Sequence, residues 1–345
     1  MNSQAPVNPR SGRTFLLLAI VIFGAANAIT RKLTELGADN LIDGRNPISF
    51  CNVLFIGNLF AFILLLIIYQ RQWRLETLKQ ISLKSWLILT FVAILGTVIV
   101  PTLIFTALAI TNVNNVVLIG QIDTPLVLAL SVWLLQDRVN KWVILGAIIS
   151  FIGVALTVLL RSPEAGETGV MSMTTAIGRG ELLTIIAAIF KAVANLISKV
   201  SLREIPLGIF SVFRMFLGTI IFFVLASVLY GVEHFMDVTS PFLWQWMLLY
   251  SAVIVVGGQL FWFSGLKLSS ASEVSLATAF NPIAGILAAY FILGEAPTIA
   301  QYIGGTVILV GIAFNQIGVL SLNQQATRPQ PSAPEMDSQV SFKGI

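Results

Sequence analysis

Residues 133–153 read WLLQDRVNKWVILGAIISFIG, and residues 291–311 read FILGEAPTIAQYIGGTVILVG. Laid over one another they pair Asp137 with Glu295, Gly146 with Gly304 and Gly153 with Gly311. In each, an apolar run ends at a carboxylate and a glycine-spaced apolar run follows. A second correspondence lies upstream: FGAANAITRKL (23–33) matches KAVANLISKVS (191–201), pairing Asn27 with Asn195 and Arg31 with Lys199. Between these anchors TALAIT matches SGLKLS, and Pro125 falls within one position of Pro282. The chain is therefore built from two copies of one unit.

Composition names the solvent of that unit. Of the 345 residues, 57% are hydrophobic and only 10% charged, and the mean hydropathy is +0.90. A soluble domain carries about 25% charged residues, because a water-facing surface needs them. Lipid is the expected surrounding. The net charge of +4 carries no nucleic-acid reading, since in a membrane protein the placement of basic residues is what matters. The single cysteine, Cys51, excludes an internal disulfide and says little about redox compartment.

A membrane-crossing helix needs roughly 20 mostly apolar residues. Ten such runs are expected: 14–33, 47–69, 85–109, 113–135, 140–161, 181–199, 206–231, 242–266, 271–293 and 297–320. Five runs make one copy. Five is odd, so the second copy enters the membrane from the opposite side, and the fold expected is an all-α membrane protein of ten transmembrane helices in two inverted five-helix repeats. The boundaries read as a tail (1–13), a first repeat (14–161), an external linker (162–180), a second repeat (181–320) and a polar tail rich in Pro, Ser and Gln (321–345), expected to be disordered. The first run has a rival reading: Arg10 and Arg13, an apolar stretch and Ala26-Asn27-Ala28 also fit a secretory leader. The return of its pattern at 191–201, deep inside the chain, favours a retained helix.

With the N-terminus inside, thirteen Lys and Arg fall on inside segments: positions 10, 13, 71, 74, 79, 84, 138, 141, 199, 203, 267, 328 and 343. Five fall outside, at 31, 32, 45, 161 and 179. That bias predicts cytoplasmic termini. Lys191 and Arg214 are left over, both within helices.

The carboxylate-then-glycine pattern (Asp137…Gly146…Gly153 and Glu295…Gly304…Gly311), with IDTPLVLAL (122–130) and FNPIAGILA (280–288), resembles the EamA-type permeases of the drug/metabolite transporter superfamily. The resemblance covers about 14–320 and implies a solute permease of two five-helix repeats. The second helix of repeat one lacks the arginine that Arg214 supplies in repeat two, and Lys191 is no hallmark of the family.

Intramembrane polar groups are the candidates for function. Lys191 lies about 15 Å along a helix from Glu181, near mid-bilayer. It shares a face with Asn195, four residues on, and should point into the bundle, either lining a cavity or held in a structural ion pair. Asp123 is the one acidic residue near the middle of a predicted helix, a candidate for substrate contact or proton coupling, with a structural partnership to Lys191 or Arg214 as the alternative. Gln121, two residues away, shares its polar surroundings only if Pro125 distorts the turn by freeing the Gln121 carbonyl. Asn27, Asn195, Gln259 and Asn281 divide between helix–helix hydrogen bonds and cavity lining. Arg214, about eight residues from its helix end, is read as structural, snorkelling to the interface. Asp137 and Glu295 suit capping or gating, and the glycines close helix packing.

No enzyme motif, Walker loop or Cys/His cluster occurs, and the one histidine, His234, falls in an expected loop. No catalytic group, metal or cofactor is expected. The reading is a secondary transporter, an integral multi-pass protein of a bacterial plasma membrane. It moves a small organic solute (an amino acid or related metabolite, expected as export) by alternating access, with protons as candidate coupling ions. Its partners are that solute and membrane lipid, with no nucleic acid; the sequence leaves the oligomeric state open. A sugar-phosphate or nucleotide-sugar carrier is the alternative within transport, because Lys191 and Arg214 suit an anion. A non-transporting scaffold or sensor is the alternative outside it.

Overall fold

The computed structural model describes residues 9–42, 44, 46–135, 140–160, 178–202, 204–230, 240–269 and 271–327. Among these the chain is helical, and nine helices are long and apolar enough to cross a membrane. In chain order, span 1 is α1 (Pro9–Asp39) and span 2 is α2 (Phe50–Tyr69); the short α3 (Leu75–Lys79) follows. Span 3 joins α4 (Leu83–Ala93) to α5 (Val100–Ile110), span 4 joins α6 (Val113–Gly120) to α7 (Asp123–Leu135), and span 5 is α8 (Lys141–Leu159). Spans 6 and 7 are α9 (Arg179–Ser201) and α10 (Leu207–Tyr230). Span 8 joins α11 (Pro241–Tyr250) to α12 (Gly258–Leu268). Span 9 comprises α13 (Ala271–Ala279) and α14 (Asn281–Ala288), and span 10 is α15 (Ile299–Thr327).

Nine of the ten expected runs appear among the described residues as helices long and apolar enough to cross, and 271–293 does not, so the expected count of ten is not exact. The run 271–293 is not one helix but two, parted at Phe280, and its apolar stretch across that break is only Ala277–Leu293. Pro282 sits in the first turn of α14, where its missing N–H costs nothing, so the break falls just before it. The last helix runs past Leu320 to Thr327. The linker 162–177, Asp137 and His234 lie outside the described residues.

Pairing follows the repeat. Spans 5 and 10 pack together, as do spans 2 and 7; span 1 packs on spans 8 and 9, while span 6 packs on spans 3 and 4. Exchanging 1 with 6, 2 with 7, 3 with 8, 4 with 9 and 5 with 10 leaves this pattern unchanged, as two halves related by a two-fold require. Apolar tails supply no hydrophobic drive between helices, so close backbone approach must do the work. The seam between spans 5 and 10 shows how. A methyl at Gly146 would lie 2.5 Å from the Gly311 carbonyl oxygen, and one at Gly153 would lie 2.8 Å from that of Gly304. Methyls at Gly304 and Gly311 would strike Thr157 and Ser150. Asn140 ends the seam: its Oδ1 accepts from Val143 N–H at 3.0 Å to cap α8, and its amide donates to the Gly318 carbonyl at 2.9 Å.

Span 1 belongs to this core. Leu16, Ala19, Ile20 and Ala28 are buried, and Gly24 lies against Ala284 and Gly285 of α14. A leader removed after secretion would strip spans 8 and 9 of their packing. That packing favours the retained helix.

Three spans carry π-helical turns, two of them at repeat-equivalent places: Ile94–Ile99 in span 3 and Ser251–Gly257 in span 8, with Ala289–Leu293 completing span 9. In the first, Val100 N–H donates to the Leu95 carbonyl, five residues back, and Pro101 follows. Proline cannot donate to the carbonyl four residues earlier, and a wider turn accommodates that loss. Such turns recur at functional sites.

Candidate functional site

Spans 4 and 9 are interrupted at matching depth. In span 4, α6 ends at Gly120 and α7 begins at Asp123. Pro125 leaves the Gln121 carbonyl without its usual donor, and Thr124 N–H takes it at 3.2 Å. The turn re-aims Asp123, and the expected distortion is therefore present. Its carboxylate meets Lys191 of span 6: Nζ lies 2.8 Å from Oδ2. The Lys191 side chain is 48% exposed and that of Asp123 13%, so the pair lines open space rather than closed packing. A methyl at Gly120 would likewise meet nothing within 4 Å. Asn195, one turn along span 6, is exposed too.

The other expected site residues separate into groups. Asn281 begins α14 at the break of span 9, and its Oδ1 is buried with no hydrogen-bond partner among the described residues. Asn27 is half-buried on span 1. Gln121 turns back on its own helix, its Nε2 donating to the Val117 carbonyl at 3.2 Å. Gln259 donates to Ser211 Oγ at 2.5 Å, which ties span 8 to span 7. The structure thus brings together Asp123 and Lys191, with Asn195 one turn away, and gives Gln121 and Gln259 protein partners of their own.

The repeat register adds a comparison that sequence reading had not made. Counted from the same anchors, Asn281 stands where Asp123 stands, and Phe23 where Lys191 stands. One copy of the site is an ion pair; the other is neutral.

Arg214 departs from expectation. It does not snorkel: Nε donates to Thr97 Oγ1 of span 3 at 3.2 Å, and the guanidinium carbon lies 5.1 Å from the Phe210 ring centroid. A hydroxyl acceptor and an aromatic face hold it inside the bundle.

At the end of the bundle that carries residues 111–115, polar side chains bind the halves to each other. Glu181, 1% exposed, accepts from Thr111 Oγ1 at 2.6 Å and from Asn115 Nδ2 at 2.8 Å. Gln301 Nε2 donates to Asn115 Oδ1 at 2.7 Å. Glu295 Oε2 accepts Val113 N–H at 2.8 Å, capping α6 from across the repeat boundary, and Glu295 O accepts from Asn114 Nδ2 at 3.2 Å. Arg31 bonds both Glu35, at 2.9 Å, and the Leu108 carbonyl. Burial pushes the Glu295 carboxyl above the usual carboxylate range, against the opposing pull of the Val113 and Asn114 contacts and of Arg31. Sequence reading had Glu295 in a capping or gating role but missed Glu181, Asn115 and Gln301; the signal was TNVN (111–114) joining two apolar runs with almost no linker. A groove of about 470 Å³ lies at the opposite end, between Ser82, Ser85, Leu134, Leu196 and Glu204. Neither Asp123 nor Lys191 lines it.

Two matched halves, interrupted helices and a charged pair beside open space define a repeat-built membrane permease. The comparisons agree. The model of the EamA-like transporter family matches residues 10–159 and again 178–316, and the chain belongs to that family. It is 46% identical to an uncharacterized transporter of Synechocystis, sll1164, over 96% of this chain and 95% of that one. It is 23% identical to the uncharacterized transporter YoaV of Bacillus subtilis, over 78% of this chain and 87% of that one. A solved crystal structure, 16% identical, superimposes with a TM-score of 0.58 over 92% of this chain and 99% of that one, which shows the fold alone. The protein is an integral multi-pass membrane protein, and the likeness is to bacterial transporters.

Proposed function

We propose that this transporter moves a small organic solute, an amino acid or related metabolite, by alternating access in the direction of export, with protons coupled through Asp123. One observation carries the reading: an accessible Asp123–Lys191 pair stands at a helix break on the boundary between the halves. A charged pair inside a span is costly in lipid and is retained where it faces a pathway. A scaffold or sensor would have no use for exposed polar groups at that depth. The sugar-phosphate alternative is weakened, since the Lys191 charge is already matched by Asp123.

The polar latch at the 111–115 end and the openness around Lys191 support a conformation closed at that end. By the positive-inside reading it is the outer end, so the conformation is inward-facing. Reconstitution into liposomes with a panel of labelled amino acids and organic acids, with and without a pH gradient, tests the whole reading. Concentrative flux driven by the gradient is the expected result, and absence of flux for every solute would remove it.

A further inference from the structure

Arg214 is a guanidinium inside a membrane span, and among the described residues no carboxylate forms an ion pair with it. Among the described residues its polar contact is Thr97 Oγ1 at 3.2 Å, and a hydroxyl balances no charge. A lone cation at such depth is costly, so its retention asks for an anion that arrives from elsewhere.

Its surroundings are shaped to keep it reachable. Thr97 and Gly96 both lie in the π turn of span 3. A methyl at Gly96 would sit 3.1 Å from Arg214 Nη2 and 3.6 Å from Ala194 Cβ. Glycine therefore leaves the guanidinium room in the corner between spans 3, 6 and 7. Ala194 is three residues from Lys191, hence one turn away on the same helix, and adjoins exposed Asn195. Arg214 and Gly96 each retain accessible surface. Donors exceed acceptors here: Asn58 Nδ2 is buried without an acceptor among the described residues, and it and Thr97 both flank Gly218.

We propose that Arg214 is the anion-binding residue of the transport site, and that the solute carries a carboxylate which the guanidinium fork engages beside Gly96. Charge balance selects the group. While Asp123 is ionised it cancels Lys191, leaving the guanidinium charge, which one carboxylate neutralises and a phosphate dianion exceeds. The planar fork matches the two carboxylate oxygens. This inference rests on the small-solute reading above, and it names the substrate's recognition group.

The test uses the purified full-length chain and matched pairs: L-alanine with L-alaninamide, L-phenylalanine with L-phenylalaninamide, and lactate with lactamide. Glucose 6-phosphate beside glucose forms a phosphate arm. Thermal stabilisation in detergent reads binding, and counterflow in proteoliposomes reads transport. At least one acid should bind better than its amide by on the order of ten- to a hundredfold, as a charged hydrogen bond lost would dictate. Arg214→Gln should erase that ratio while leaving the neutral lactamide unchanged. Arg214→Lys should keep part of it, and Gly96→Ala should reduce it with the guanidinium intact. If the acid-to-amide ratio survives in Arg214→Gln, or if no acid stabilises the protein, the inference is overturned. Preference for glucose 6-phosphate over every acid overturns the carboxylate assignment. Acids that stabilise the protein without any flux leave Arg214 in place and sink the transport reading instead.

Discussion

Lys191 Nζ and Asp123 Oδ2 stand 2.8 Å apart, one from span 6 of the second half and the other from the break in span 4 of the first. The contact crosses the repeat boundary, so relative motion of the halves must stretch or remake it. Removing one partner leaves the other charge without compensation. Half of the Lys191 side chain remains open, which screens the pair and lowers its worth below that of a fully buried one. Lys191→Met and Asp123→Leu should each destabilise the protein in detergent, and the double change should recover a coupling of about 1–3 kcal/mol. Strictly additive losses would show that the two do not act together.

Asp123→Asn separates shape from charge. The amide keeps the size and hydrogen bonding of the carboxyl but cannot release a proton. Net transport driven by a pH gradient should vanish in this variant while solute exchange across equal pH persists. If gradient-driven transport continues unaltered, Asp123 is not the coupling group.

Glu295 gives a pH signature with a definite sign. Its carboxyl is raised by burial, so the folded chain holds this proton more tightly than the unfolded one. Stability from this group is full below the ordinary carboxylate range and falls as pH rises from there through the raised folded value. Melting curves across that window should show the decline, and Glu295→Gln should flatten it while its amide oxygen still caps Val113. Glu295→Ala should cost about 1 kcal/mol through the lost cap. An unchanged slope in the glutamine variant would assign the decline to another group.

Orientation is open to direct labelling. In a Cys51→Ser background, a cysteine at exposed Asn40 should react with an impermeant maleimide on intact cells, and one at exposed Gln80 only after permeabilisation. The reverse pattern would invert the topology and make the latched end cytoplasmic.

Much of this architecture could be read from the chain because hydrophobic runs and repeat anchors are local signals. The glycines at 146, 153, 304 and 311 announced their seam through spacing alone. The proline at 125 announced its distortion, since a missing N–H acts on its own carbonyl partner. What sequence could not supply was which side chains meet across the bundle. Arg214 looked free to reach the interface, because nothing in 206–231 reveals that Thr97 waits on span 3. Gln259 divides between a helix–helix hydrogen bond and cavity lining, and the sequence could not name Ser211 as its partner. Glu181 looked like a helix end near water, and its burial depends on Asn115, far away in the chain.

The neutral counterparts of the ion pair have a consequence for how such a chain came to be. Spans 2 with 7 and 5 with 10 are self-pairings, the kind of isologous contact two identical five-helix proteins would make in a two-fold dimer of opposite membrane orientation. An unfused ancestor of that sort would present every charge twice, with a Lys–Asp pair on each side of its axis. Here Asp123 faces Lys191 once, while the mirrored positions hold Asn281 and Phe23. Only when the two halves are separate copies can they differ in this way. Two non-identical halves thus free one membrane face from the chemistry of the other, a precondition for a carrier with a preferred direction.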